Sequence, residues 1–291
     1  MPAMHRSTPS RTFVLAALLL STTHSGAQDA AAAAESGPPG TPTAGQPLWE
    51  AGLFAVGGSQ QAYPGSRQQV QRALVLPFFV YRGRVVRAEQ GGVGLRAART
   101  ESVDLDIGFS GSFGSAASDN DARRGLPDIG WLVEFGPRLR WRLGQAWGGG
   151  FSAALPVRGV FDVSNGFEYR GIAVEPVLSW GTRAHGWGYG TSIGLLAGDR
   201  RLADTFYGVA PVYATAVRPA YEAQAGLIAT RLSFNLSRRL GPDWRLFAYA
   251  RVDSVHGAAN EASPLVDRKA GASAGIGLAW TGLRSAEPGQ P

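Results

Sequence analysis

The stretch W-L-V-E-F-G-P-R-L-R-W-R-L at 131–143 decides the fold. Read in twos, Trp131, Val133, Phe135, Leu139, Trp141 and Leu143 fall on one side, and Leu132, Glu134, Gly136, Arg138, Arg140 and Arg142 on the other. A period of two is a strand. At about 3.3 Å per residue it reaches roughly 43 Å, and a tilted strand needs about nine to eleven residues to cross a bilayer. A single strand of this kind would also suit the edge of a soluble sandwich, so the decision rests on whether the chain repeats it.

The pattern recurs at 48–57, 73–81, 85–89, 93–98, 103–113, 149–161, 167–180, 187–197, 228–236, 244–255 and 272–280. In 187–197, for example, Trp187, Tyr189, Ile193 and Leu195 oppose Gly188, Gly190, Ser192 and Gly194. Pro77 inside 73–81 predicts a bulge, because proline cannot donate to a ladder. Short turns near Arg82, Gln145, Ala184 and Pro242 alternate with longer loops, including one from Asp199 to about Tyr221. Brief turns on one side and long loops on the other are the habit of outer-membrane barrels, whose apolar face meets lipid and whose polar face lines the interior. If all the tight turns lie on the periplasmic side, Gly91-Gly92 must itself reverse the chain. The expectation is therefore an all-β, closed antiparallel transmembrane β-barrel of about 12 strands over 48–281, with 10 as the fallback.

Composition excludes other classes. The chain has 291 residues with 40 Gly, 8 Trp and no Cys, and only 17% are charged, against about a quarter in soluble domains. No run approaches the roughly eighteen apolar residues of a membrane helix. The net charge of +6 is nearly all arginine, spread along strands without a basic–aromatic cluster, which speaks against nucleic acid. His5, Arg6 and Arg11 precede an apolar run at 13–20, and Ser25-Gly26-Ala27 follows. That order predicts a signal peptide over 1–27, cleaved after Ala27. The Ala, Gly, Pro and Thr at 28–47 predict a disordered periplasmic arm, and 282–291 a C-terminal tail.

An ordered set of motifs resembles the MipA/OmpV outer-membrane proteins, the family of the MltA-interacting protein. The residues are Tyr63-Pro64-Gly65-Ser66, the run at 76–83, the loop at 119–128 with Arg123, Gly125, Pro127 and Asp128, then Glu134-Phe135-Gly136-Pro137, Phe206-Tyr207-Gly208-Val209 with the run at 218–221, and Ser263-Pro264-Leu265-Val266. The resemblance implies an outer-membrane location. For the member that named the family it implies a scaffold bridging a lytic transglycosylase and a peptidoglycan synthase; other relatives are associated with adhesion or small-solute responses. This chain departs from the usual barrel ending, because Trp280 closes the last strand and further residues trail it.

Little in the sequence points to catalysis. Gly190-Thr191-Ser192-Ile193-Gly194 fits G-x-S-x-G, but a nucleophile elbow needs a strand-to-helix turn and this run alternates as a strand. Asp253, Ser254 and His256 lie near one another, yet Asp253 faces away from the other two. Asp119-Asn120-Asp121 lacks calcium-loop spacing, and Arg123 and Arg124 are expected to pair with nearby acids. Two of the four histidines fall in the expected leader, so no metal or cofactor is expected. The inward charges Glu134, Arg138, Arg140, Arg142, Glu175, Arg231, Arg245, Arg251 and Asp253 predict either an ion-pair lattice filling the lumen or the wall of an anion-selective pore. The expected protein is a non-enzymatic scaffold of the outer membrane, with a narrow channel for small polar or anionic solutes as the alternative.

Overall fold

The computed structural model describes residues 47–82, 86–89, 92–99, 102–112 and 115–287. The expected leader and nearly all of the arm lie outside them. The strands are β1 (Trp49–Gln61), β2 (Gln69–Arg82), β3 (Val86–Glu89), β4 (Gly92–Arg99), β5 (Val103–Ser112), β6 (Leu132–Ala146), β7 (Gly149–Asp162), β8 (Glu168–Val174), β9 (Val177–Ala184), β10 (Trp187–Gly198), β11 (Gly226–Arg239), β12 (Trp244–Ser254) and β13 (Ala270–Arg284). All pairings are antiparallel, and the ladder returns on itself, since β1 pairs with both β2 and β13 and β10 pairs with β11. The sheet thus closes on itself as a barrel, which satisfies the backbone groups of most of the wall in lipid, although the β2–β3 ladder is only two pairs long among the described residues.

β8 and β9 both lie between β7 and β10, and they are two halves of one wall strand. The run expected at 167–180 is thus interrupted at Glu175-Pro176, because Pro176 has no N–H to donate to the ladder. Counted as one, they make the wall twelve strands. The reversal that parity required is present: β3 pairs with β4 from Val86↔Leu95 to Glu89↔Gly92. The bulge expected at Pro77 is absent, as β1 and β2 keep an unbroken register from Trp49↔Tyr81 to Gln61↔Gln69. Ala62 N donates to Gln68 O at 3.1 Å, so even-numbered residues of β2 bond to β1 and odd-numbered ones turn their polar groups to the other edge. Pro77 is odd, and its missing N–H falls on that edge, where no bond with β1 is lost.

Outside, Leu53, Phe135, Ile172, Leu178, Ile193, Leu195, Leu232, Phe234, Val252 and Ile276 are exposed, forming the band that lipid covers. Trp147, Trp244 and Trp280 lie toward the short-turn end, Trp244 and Trp280 with ring centroids 6.3 Å apart. Higher up, Phe135 stacks on Phe161, and Tyr169 tilts against Phe161 on the neighbouring strand. Aromatic girdles of this kind sit at the two membrane interfaces. No helix among the described residues is long and apolar enough to cross a membrane.

The buried core lies at the long-loop end, where Tyr63, Leu126, Ile129, Leu202, Ala203, Tyr207, Val209, Ala223, Val255 and Leu265 meet the strand-end residues Leu132, Val160, Leu196 and Ile228. The loop from Asp199 is not irregular throughout: α1 (Arg200–Tyr207) opens it, with the Asp199 carboxylate accepting from Leu202 N at 2.9 Å as an N-cap. Leu202, Ala203, Phe206 and Tyr207 form its apolar stripe.

Candidate functional site

Two assemblies occupy the barrel: a cap over one mouth and a lattice of charges below it. The cap is built from the β1–β2 turn, the β5–β6 loop, α1 with the rest of the β10–β11 loop, and the β12–β13 loop. Tyr63 Oη donates to Leu265 O at 2.7 Å, Tyr207 Oη to Pro64 O at 2.9 Å, and Ser263 Oγ to Tyr207 O at 2.8 Å. Asn120 Nδ2 donates to Ser66 Oγ at 3.0 Å, and Gly65 O accepts from the backbone of Asp267 and Arg268. Gly65 has φ +92, a conformation that side-chain-bearing residues avoid. Asp128 accepts from Ala117 N at 2.6 Å, Gly125 turns the β5–β6 loop at φ +83, and Gly208 N closes α1 on Asp204 O.

Arg123 is the keystone of the cap. At 4% exposure it pairs with no carboxylate among the described residues, and Nη1 donates to Phe206 O and Nη2 to Pro127 O, each at 3.1 Å. Phe206 O is in the last turn of α1, where free carbonyls and the helix dipole favour a cation. The guanidinium also lies 5.7 Å from the Tyr63 ring centroid. The expected pairing with acids is therefore corrected: Arg124 meets Asp121 at 2.8 Å on the surface, whereas Arg123 is buried where carbonyls are the nearest acceptors. Burial lowers the Arg123 pKa and pushes the Tyr63 hydroxyl up to about 12. Tyr207 is raised for the same reason.

The family-motif residues thus converge. Tyr63, Pro64, Gly65, Ser66, Arg123, Gly125, Pro127, Asp128, Tyr207 and Gly208 all belong to the cap, while Gly136 and Pro137 stay in the wall on β6. Sequence offered them as scattered turns, and only the tertiary fold makes them neighbours.

Below the cap, six charges alternate along the inner wall. Glu134 on β6 meets Arg158 on β7 at 3.1 Å, and Arg158 meets Glu175 at 2.6 Å. Glu175 meets Arg231 on β11 at 2.7 Å; Arg231 meets Asp253 on β12 at 3.2 Å, and Asp253 meets Arg251 at 3.0 Å. β10 lies between Glu175 and Arg231 and presents glycine there: a Cβ on Gly194 would stand 3.9 Å from Glu175 Cγ. The G-x-S-x-G run is accordingly strand, with Gly194 in register with Arg231 and Val177. A second group joins β5 to β6, with Arg138 holding Asp106 through two bonds of 2.9 Å and Arg142 holding Asp104 at 2.6 Å. Arg140 shares that inward face, and the Arg245 guanidinium lies 5.9 Å from the Phe247 ring centroid. Arg158 escaped the sequence reading because its strand has no alternation of charge to mark it.

No triad assembles. The Asp253 carboxylate is held by Arg231 and Arg251, Ser254 Oγ accepts from His256 N at 3.3 Å, and His256 Nδ1 faces Glu261 at 3.4 Å. Among the described residues no group of acids and histidines could hold a metal ion.

A closed antiparallel wall, lipid-facing outside and charged within, with short turns at one end and a loop cap at the other, defines an outer-membrane β-barrel. The model of the family described as MltA-interacting protein MipA matches residues 53–282, and the chain belongs to that family. No curated protein sequence matches the chain. Among solved structures, it is similar to the translocator domain of the autotransporter NalP from Neisseria meningitidis, at 10% identity and TM-score 0.38 over 80% of this chain and 88% of that one. It is likewise similar to outer membrane phospholipase A from Escherichia coli, at 10% identity and TM-score 0.35 over 87% and 97%. A Pseudomonas aeruginosa FadL homologue gives 10% identity and TM-score 0.31 over 90% and 98%. At that level of likeness no activity transfers to this chain, which is itself a protein of the outer membrane.

Proposed function

We propose that this protein is a non-catalytic outer-membrane scaffold that docks enzymes of murein synthesis and remodelling on its periplasmic end. The observation that carries this reading is how the inward charges are used: six of them pair in alternation along the inner wall from β6 to β12, and packed loops cover the outer mouth. The family's description supports a lytic transglycosylase as partner, and a peptidoglycan synthase follows from the resemblance noted above.

The short turns supply a docking face. Trp147-Gly148 and His185-Gly186 are two-residue hairpin turns with φ of 52, 71, 51 and 78, the geometry that favours Asn-Gly. A tryptophan in the left-handed region costs about 1 kcal/mol, and Trp147 is 86% exposed. Strain maintained at an exposed position points to a role for the side chain.

Photocrosslinkers at Trp147 and His185 in intact cells test the reading: adducts with a lytic transglycosylase and a peptidoglycan synthase are expected, and their absence at both turns would overturn it. The channel alternative predicts planar-bilayer conductance steps from the refolded barrel that disappear when the lumen arginines are neutralised. A scaffold whose mouth is capped and whose inward charges are paired with one another gives no steps.

A further inference from the structure

The wall is uneven in one place. β2 has 14 residues, but β3 beside it has 4 and β4 has 8. The pairs joining β2 to β3 are Tyr81↔Ala88 and Arg82↔Arg87, at the periplasmic end of β2. On the far side the β4–β5 ladder is in register from Arg99↔Asp104 to Arg96↔Asp106, with a shift between Arg96 and Ala98. Among the described residues no strand but β1 pairs with β2 above Tyr81, so the short hairpin covers the lower wall and leaves a window beside the upper part of β2. Loops frame the top, where Asn120 Nδ2 bonds Ser66 Oγ at 3.0 Å and Gln68 Nε2 bonds Asp121 Oδ2 at 3.1 Å, joining the β5–β6 loop directly to the β1–β2 turn.

The left edge of this window is chemically specific. The odd-numbered residues of β2 turn away from β1, so the N–H groups of Gln69, Gln71, Ala73 and Val75 face the opening, and Pro77 contributes none. Arg72 bends to the same edge, its Nη1 donating to Gln71 O at 3.2 Å, and it is exposed although it stands on an inward position. It makes no ion pair among the described residues. Val75, on the outward face, is 66% exposed. Behind the edge, Val56, Val70, Leu74 and Tyr249 border a hollow of about 10 Å³ that Arg72 also lines, so its side chain lies between the inward hollow and the open edge; the hollow has room for roughly one water. A long chain cannot enter there and would lie along the edge.

Unpaired backbone donors cannot stay bare in hydrocarbon. Acceptor oxygens that carry negative charge satisfy both them and a guanidinium, and the window opens in the outer half of the membrane, below the long loops. We propose that the β2 edge from Gln69 to Val75 is a lateral binding site for an anionic lipid of the outer leaflet. Its headgroup oxygens take the Arg72 guanidinium and the N–H groups of Gln71 and Ala73, and its acyl chain lies along Val75 and Pro77.

The absence of cysteine from the sequence makes the test clean. Ala73→Cys carrying a benzophenone, in nanodiscs of equal phosphatidylglycerol and phosphatidylcholine, is irradiated and its lipid adducts are weighed by mass spectrometry. At least a threefold excess of phosphatidylglycerol is expected at 73, an even ratio at Ile193→Cys on the distant wall, and loss of the excess in Arg72→Gln, with Arg72→Lys restoring part of it. A heat-modifiable gel shift shows that each variant is folded; should Arg72→Gln fail to fold, the contrast between positions 73 and 193 still decides. An even ratio at 73 would overturn the proposal. So would an excess that survives Arg72→Gln, or, in native outer membranes, a protein adduct at 73 in place of a lipid.

Discussion

In the cap, Leu202, Val209 and Leu265 are buried while Arg124 and Glu222 lie in water. In the wall, Leu232, Phe234 and Ile276 face outward and Arg158, Arg231 and Asp253 face inward. One chain is folded both ways because its solvent changes along the barrel axis. Above the membrane, water drives apolar side chains together; within it, lipid is as apolar as leucine, so what remains to be satisfied is charge and backbone. The two regions should therefore fail to different substitutions.

The largest expected effect is in the lattice. Arg231→Leu leaves Glu175 and Asp253 each short of a cation, and breaking a buried pair from one side costs about 3–5 kcal/mol. The urea midpoint of the folded barrel in detergent should fall accordingly; an unchanged midpoint would mean that the lattice contributes nothing. Next comes the outward face, where Phe135→Arg places charge against lipid at a cost of about 2–4 kcal/mol and should reduce the heat-modifiable species, while Arg140→Gln on the opposite face of the same strand should not.

Smaller effects belong to the cap. The Tyr63 hydroxyl is held neutral up to about 12 against an ordinary 10, so an opened cap ionises before a closed one. Cap stability is intact below pH 10 and declines as pH rises toward about 12. Tyrosinate absorbance followed alongside loop hydrogen exchange should show that step, and Tyr63→Phe should remove its share of it while costing about 1 kcal/mol for the lost bond to Leu265. Least of all, Arg124→Gln removes an ion pair with both side chains exposed and should stay within about 0.5 kcal/mol of the parent. A large loss there would erase the distinction between the buried Arg123 and its neighbour.

How much of this was legible in the sequence follows from how local each signal is. Alternation at Phe135, Leu139 and Trp141 needs only neighbours two residues away, and the wall with its inward charges was readable from it. The partnership of Arg158 with Glu134 and Glu175 depends on register between strands, which no single strand encodes. α1 did carry a local signal: Asp199 ahead of Leu202, Ala203, Phe206 and Tyr207 is a capped amphipathic turn, hidden by its setting in a long loop. The cap was visible only as motifs, because the burial of Tyr63 and Tyr207 depends on loops from opposite ends of the chain.

That last dependence bears on the order of assembly. The bond from Tyr63 to Leu265 joins residues 202 apart, and that from Tyr207 to Pro64 joins residues 143 apart. Contacts so distant form late, and those with Leu265 require the β12–β13 loop to reach the β1–β2 turn, which happens when β13 meets β1. Until that seam closes, the outward loops expose Tyr63, Tyr207 and Leu265 as unpaired apolar surface, and afterwards they hide them. The cap is thus a seal set last, and its resistance to proteases reports whether the ring beneath it is complete.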